Sequence, residues 1–128
     1  MLKARPFLMF DGRAEEAMTC YVSLFRDAEV LKLKRFDGGT GVESGLFRVG
    51  DLEIMTFDSP VKHAFGFTPA ISLFVNMDSP DDIDACFAQL SESGNVLMGL
   101  DAYPFSPKFG WVQDRFGVSW QLSLTRKE

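Results

Sequence analysis

The feature that most constrains this chain is a repeat. Its second half follows the first at a spacing of 66 residues, which sets Tyr21 on Phe87, Leu24 on Leu90, Cys20 on Cys86, Phe7 on Leu73 and Ile54 on Trp120. Few residues are identical, but the order strand–helix–strand–strand–strand occurs twice, and a repeated supersecondary unit dictates how a sheet is assembled. At 128 residues the chain has room for one compact domain. We read it as a single α+β domain made of two βαβββ modules, about residues 1–60 and 68–128. Each module should lay its helix outside, on one face of a curved mixed sheet, and turn the other face into a cup.

The elements follow from hydrophobic periodicity. In the first half, Phe7–Phe10 is an apolar run closed by Asp11-Gly12, and Ala14, Ala17, Met18, Tyr21, Leu24 and Phe25 form one helical face within Arg13–Arg26. Val30–Phe36 and Glu43–Val49 read as strands around the turn Asp37–Gly41, and Gly50-Asp51 leads into a strand over Leu52–Phe57. Asp58–Pro69 reads as a linker. The second half predicts a strand over Ala70–Met77, a cap at Asp78–Pro80 and a helix over Asp81–Ser93 stopped by Gly94. A short strand Val96–Met98, a loop Asp101–Lys108 and strands at Gly110–Asp114 and Val118–Leu124 complete it.

Composition narrows the partners. Thirteen Lys and Arg against 18 Asp and Glu give a net charge of −5, ill suited to a phosphate backbone, so no nucleic acid and no membrane partner is expected. No apolar run approaches the length of a membrane span, and Met1–Phe7 has no signal-peptide core. Cys20 and Cys86 make neither a disulfide framework nor a zinc spacing, which points to a reducing cytoplasm. The 13 Phe, 2 Trp and 2 Tyr supply a core with enough left over for an apolar cavity wall.

Alternation along strands assigns the faces. Val118, Trp120, Leu122 and Leu124 should meet the helices, leaving Ser119, Gln121 and Ser123 for the cup. Ile71, Leu73, Val75 and Met77 should likewise be covered, with Ser72, Phe74 and Asn76 in the cup. The 66-residue shift places Pro6 and Leu8 in the first cup and makes Met55 the counterpart of Gln121. Such a lining suits a small, partly apolar ligand.

The opening Phe10-Asp11-Gly12-Arg13-Ala14-Glu15-Glu16-Ala17 and the closing run from Phe109-Gly110-Trp111 through Asp114-Arg115-Phe116-Gly117-Val118-Ser119-Trp120-Gln121-Leu122 resemble a known family. It is the PhnB-like branch of the glyoxalase/bleomycin-resistance (vicinal oxygen chelate) superfamily, whose members carry the label 3-demethylubiquinone-9 3-methyltransferase-like. The resemblance implies the glyoxalase/bleomycin-resistance/dihydroxybiphenyl dioxygenase-like fold and a homodimer with cups built where modules meet. Superfamily enzymes hold one divalent metal at positions that correspond here to Pro6, Met55, Ser72 and Gln121. Proline offers no side-chain donor, methionine favours soft ions, and serine and glutamine are neutral, so no metal and no cofactor is expected. The leading function is small-molecule binding, with no catalytic residue assigned. The alternative is a metal-dependent lyase, isomerase or dioxygenase that recruits Gln121, Asp58 or His63. A methyltransferase ranks third, because Gly38-Gly39-Thr40-Gly41 lies between two strands and lacks the following helix of a nucleotide-binding turn.

The ligand set read from the sequence is Met55, Asp58, His63, Ser72, Phe74, Asn76, Trp111 and Gln121. His63, the only histidine, is an acid–base candidate over the cup, although an exposed linker histidine is the better supported reading. Asp58 divides evenly between a ligand carboxylate and a turn cap, whereas Asp114 reads as a turn cap. Trp111, Tyr103 and Phe105 form either an aromatic gate or packing at a dimer contact or core. Trp120 reads as core, and both cysteines read as small hydrophobes.

Overall fold

A computed structural model describes residues 1–125. The chain divides into two compact units, Met1–Ala64 and Phe65–Glu128. The first contains β1 (Phe7–Phe10), α1 (Ala14–Leu24), β2 (Ala28–Arg35), β3 (Val42–Val49) and β4 (Leu52–Asp58). The second contains β5 (Leu73–Met77), α2 (Pro80–Ser91), β6 (Asn95–Tyr103), β7 (Ser106–Gln113) and β8 (Ser119–Leu124). Each forms a four-stranded mixed sheet of the same topology, β1-β4-β3-β2 in one and β5-β8-β7-β6 in the other. In both, the first strand runs parallel to the last and the remaining pairs are antiparallel.

The repeat is therefore real, but its spacing drifts. Ile54 and Trp120, both fully buried, keep the separation of 66 residues, as do the fully buried Ala17 and Ile83. Phe7 pairs with Met55, whereas Gln121 pairs with Phe74, so the first strands correspond at 67 residues (7 to 74). Leu46 pairs with Met55 and Trp111 with Gln121, which gives 65 residues for the third strands (46 to 111). One slipped residue turns a strand over. This corrects the first cup: Phe7 and Met9 share a face with Met55 and Phe57, while Leu8 pairs with the buried Thr56 on the helix side.

Two further corrections concern the second unit. The expected loop at Asp101–Lys108 is the tip of a long hairpin, because β6 runs to Tyr103 and β7 begins at Ser106. Pro104-Phe105 supplies the turn, and register shifts along the β6–β7 pair break the alternation on which a strand reading depends. The strand expected over Ala70–Met77 starts only at Leu73, and Ile71 lies before it at 79% exposure, not beneath the helix.

Helices pack on each sheet through matched glycines. Gly45 of β3 pairs with Thr56, and Gly110 of β7 with Leu122. A Cβ at Gly45 would run into the Thr56 hydroxyl and the Met18 thioether, and one at Gly110 would run into the Phe87 ring. Both positions let a bulky helix side chain lie flat on backbone. The core of the first unit is Phe10, Ala14, Ala17, Met18, Tyr21, Phe47 and Ile54; that of the second is Ile83, Phe87, Leu90, Val112, Trp120 and Leu122. For α2, Ser79 accepts a hydrogen bond from Asp82 N at 3.3 Å, and Pro80 opens the helix. Its exit uses Ser93, at φ 57°, as the left-handed residue in place of the expected Gly94.

Candidate functional site

The face of each sheet turned away from its helix carries three cross-strand rows. In the second unit the middle row is Phe74, Gln121, Trp111 and Met98, one residue from each of β5, β8, β7 and β6. A row to one side holds Asn76, Ser123, Phe109 and Asp101. The row to the other side holds Ser119, Gln113 and Asn95, with Ser72 ahead of β5. The sequence expects Ser72, Phe74, Asn76 and Gln121 to share a face, and the strand register sets them together with Trp111 on one surface.

Short hydrogen bonds fix this surface. Gln121 Nε2 donates to Ser72 Oγ at 2.8 Å, and Trp111 Nε1 donates to Ser119 Oγ at 2.8 Å. Ser123 Oγ donates to Ser106 Oγ at 2.8 Å in a buried position. Phe74 is 53% exposed and stands 6.2 Å from the Phe109 ring, which is itself buried. Tyr103 and Phe105 stack at 5.6 Å and both meet the Phe109 ring edge to face.

The corresponding face of the first unit differs in chemistry. Phe7, Met55, Leu46 and Lys32 form its middle row, so a thioether, a hydrocarbon and an ammonium replace the amide, indole and thioether of the second unit. The Phe7 and Phe57 rings lie 5.1 Å apart. The row corresponding to Ser72, Ser119, Gln113 and Asn95 is charged throughout: Arg5, Glu53, Arg48 and Glu29. Arg5 Nε donates to Glu53 at 2.8 Å, Lys3 lies 3.1 Å from the same oxygen, and Arg48 bonds Glu29 at 3.0 Å and Asp27 at 2.7 Å. The Arg5 guanidinium, and after it Lys3, holds the Glu53 carboxyl below the usual range. Sequence reasoning misses this row because the 66-residue shift puts Pro6, not Arg5, beside the strand carrying Met55. Alternation backward from Phe7 is the available signal.

Two acidic candidates turn the other way. Asp58 is 4% exposed, on the helix side of β4. Its Oδ1 accepts from Gly12 N at 2.8 Å and Ala14 N at 3.0 Å, and its Oδ2 accepts from Val42 N at 2.7 Å. Arg13, at the N-cap of α1, makes no side-chain cap bond, so Asp58 performs that task from another strand. Asp114 serves the turn before β8, accepting from Phe116 N and Val118 N, and from the Trp120 indole. His63 is exposed, with Nε2 3.1 Å from Ser59 Oγ. Neither Asp58 nor Asp114 presents a carboxylate on the open face of its sheet.

Among the described residues no three His, Cys, Asp or Glu side chains cluster in a way that could hold a metal ion. Pro6 contributes only its backbone oxygen, which accepts from Met55 N at 2.9 Å, and the Ser72 hydroxyl already accepts from Gln121. Neither a hydroxyl with an amide on the second sheet nor a thioether beside the Arg5 guanidinium on the first fits a hard divalent cation.

Comparison with known proteins agrees with the topology. A model of the family described as 3-demethylubiquinone-9 3-methyltransferase matches residues 2–123. The PhnB protein from Bacillus cereus is 45% identical, with a TM-score of 0.92 over 97% of this chain and 100% of its own. Protein PA1353 from Pseudomonas aeruginosa is 26% identical, with a TM-score of 0.82 over 99% of this chain and 100% of its own. The fosfomycin resistance protein FosX from Listeria monocytogenes shares the fold, with a TM-score of 0.66 at 8% identity over 100% of this chain and 94% of its own. No curated protein matches the chain.

Proposed function

The chain belongs to the family described as 3-demethylubiquinone-9 3-methyltransferase, in its PhnB-like branch with the glyoxalase fold, and from that we propose that it binds a small molecule on the open faces of its sheets. The observation that carries this reading is the Gln121–Ser72 hydrogen bond, at 2.8 Å on the open face of the second sheet. Their neutral amide and hydroxyl can orient a polar group of a ligand, with Phe74 and Trp111 beside them and Asn76 one row away. The site proposed is Ser72, Phe74, Asn76, Trp111 and Gln121 on the second sheet; Met55 lies on the corresponding face of the first sheet. Asp58 is left off it, because both of its oxygens already serve backbone N–H groups.

The side chains on these faces do not suit a hard divalent cation, and the binding reading needs none. The methyltransferase label finds no support either. The sheets are mixed and four-stranded, and Gly38–Gly41 joins β2 to β3, whereas the family of nucleotide-binding turns joins a strand to a helix. No helix among the described residues is long and apolar enough to cross a membrane, and we assign the protein to the cytoplasm on its two free cysteines. A homodimer is the assembly proposed, because β2 is an edge strand exposed from Glu29 to Arg35.

A thermal-shift screen of small molecules on metal-stripped and metal-loaded protein tests the reading, since a ligand specific to the native state raises the melting temperature. Hits are expected without metal, and Gln121→Ala should weaken them by about 1–3 kcal/mol while changing stability by less than about 1 kcal/mol. Stoichiometric zinc, nickel or iron retained through dialysis would replace this reading with the metal-enzyme alternative. Light scattering that finds only monomer at micromolar concentration would remove the dimer.

A further inference from the structure

The hairpin tip between β6 and β7 builds an aromatic platform on the open face of the second sheet. Phe109 is its base, at 2% exposure. Phe105 meets that base edge to face at 4.8 Å and Tyr103 does so at 5.7 Å, while Phe74 approaches from β5 at 6.2 Å. Tyr103 is tied down by its hydroxyl, which donates to Gly99 O at 2.7 Å, and Phe105 stacks on it with an interplanar angle of 19°. Yet Phe105 is 64% exposed and Phe74 is 53% exposed. Two ordered rings, braced by a buried third, thus offer apolar surface to solvent.

Charge on the same face is sparse. Across its three rows Asp101 is the one acidic or basic residue, and its exposed carboxylate accepts from Ala102 N at 2.8 Å. The remaining polar groups are neutral: Ser72, Asn76, Asn95, Gln113, Ser119, Gln121 and Ser123. The first sheet, by contrast, sets Arg5, Glu53, Arg48 and Glu29 in the corresponding row. A ligand on the second face therefore meets rings and hydrogen-bonding groups but no cation to balance an acid.

We propose that this face takes its ligand by a flat, uncharged aromatic ring laid against Phe74 and Phe105, with the exposed Asn76 amide reading a polar substituent. This rests on the reading of the face as a small-molecule site and names the class of ligand. Ring-on-ring contact favours an aromatic ligand over a saturated one of equal size, because the quadrupoles of the rings align in offset or edge-to-face geometry.

Calorimetric titration of the full chain with 2-naphthol, its saturated counterpart decahydro-2-naphthol, and 2-naphthoate tests the proposal. 2-Naphthol should bind more tightly than the decahydro compound by roughly two- to tenfold for each ring stacked, and more tightly than the carboxylate. Phe74→Leu and Phe105→Leu keep apolar bulk at exposed positions, so melting temperatures should hold while the aromatic preference is lost. Asn76→Ala should weaken both neutral compounds alike. Equal binding of the naphthol and its saturated form, or a preference that survives both leucine variants, overturns the ring site but leaves small-molecule binding at Gln121 intact. If neither compound binds and Phe105→Leu converts a dimer to monomer in light scattering, a second copy covers the platform and the proposal is overturned.

Discussion

The Trp120 indole N–H donates to Asp114 Oδ2 at 2.9 Å, while Asp114 Oδ1 accepts from the backbone N–H groups of Phe116 and Val118 at 2.9 and 3.0 Å. One carboxylate therefore folds its own turn and pins that turn to the largest fully buried side chain among the described residues. The Asp-Arg-Phe-Gly-Val-Ser-Trp run is a connected unit: the aspartate needs the indole as much as the indole needs the core. Next in sequence, Gln121 points to the opposite face, where its amide donates to Ser72.

Trp120→Ala should cost at least 3–5 kcal/mol in urea unfolding, about the ordinary effect of a large core cavity. Trp120→Phe keeps most of the packing but strips Asp114 of one donor in a buried place, and should still cost about 1–3 kcal/mol. A Phe variant as stable as the parent would show that the hydrogen bond contributes nothing. An Ala variant as stable as the parent would mean that β8 faces the other way.

The faces of β8 are legible in the sequence because Val118, Trp120, Leu122 and Leu124 alternate with three polar residues, and such alternation admits one orientation. The first strand is not legible in the same way. Pro6-Phe7-Leu8-Met9-Phe10 is apolar on both faces, so nothing in it resists a slip of one residue, and a repeat carried across at 66 residues falls one residue short. The β6–β7 hairpin escapes for a different reason: its tip is Pro104-Phe105, and proline with a following aromatic reads as loop. Asp58 is undecidable from sequence because its partners, Gly12, Ala14 and Val42, lie far from it along the chain. A side chain that caps a helix from another strand leaves no local signature.

That cap makes the second prediction. Asp58→Ala leaves the N–H groups of Gly12, Ala14 and Val42 without their shared acceptor, two of them at the start of α1. Loss of about 3 kcal/mol or more is expected in chemical unfolding, since bonds to a carboxylate acceptor are the stronger kind and two of the three orphaned donors, at Ala14 and Val42, are buried. Asp58→Asn should recover part of it through the remaining oxygen. If instead Asp58→Ala leaves stability unchanged and abolishes ligand binding, Asp58 belongs to the site after all.

Gly110→Ala supplies the third. The new methyl group would meet the Phe87 ring, which is itself 7% exposed and has little room to retreat. Overpacking of this kind costs about 1–3 kcal/mol, and Phe87→Leu in the same chain should relieve part of it by vacating the space. A double-mutant cycle by thermal unfolding measures the coupling. Strictly additive effects would show that α2 does not rest on β7 at this glycine.

The last prediction concerns pH and the thiol of Cys86, which is 2% exposed in the face of α2 that meets the sheet. Burial, with a smaller contribution from the Asp82 carboxylate, pushes this thiol up to about 11 from a usual value of 9.0. Between those values the unfolded chain releases the proton and the folded chain keeps it. The unfolded state then binds fewer protons, so stability falls as pH rises through this window, and below about pH 8 the thiol contributes no pH dependence. The whole of that rise is worth roughly 3 kcal/mol at the upper limit. Lysines and tyrosines titrate in the same range, so the quantity to measure is the difference in urea-unfolding free energy between the parent and Cys86→Ala at about pH 8 and again at about pH 11. The alanine variant should lose less stability over that interval. Parallel losses in the two proteins would mean that the Cys86 thiol ionises as readily folded as unfolded, and that the α2 face over this sheet is open to water.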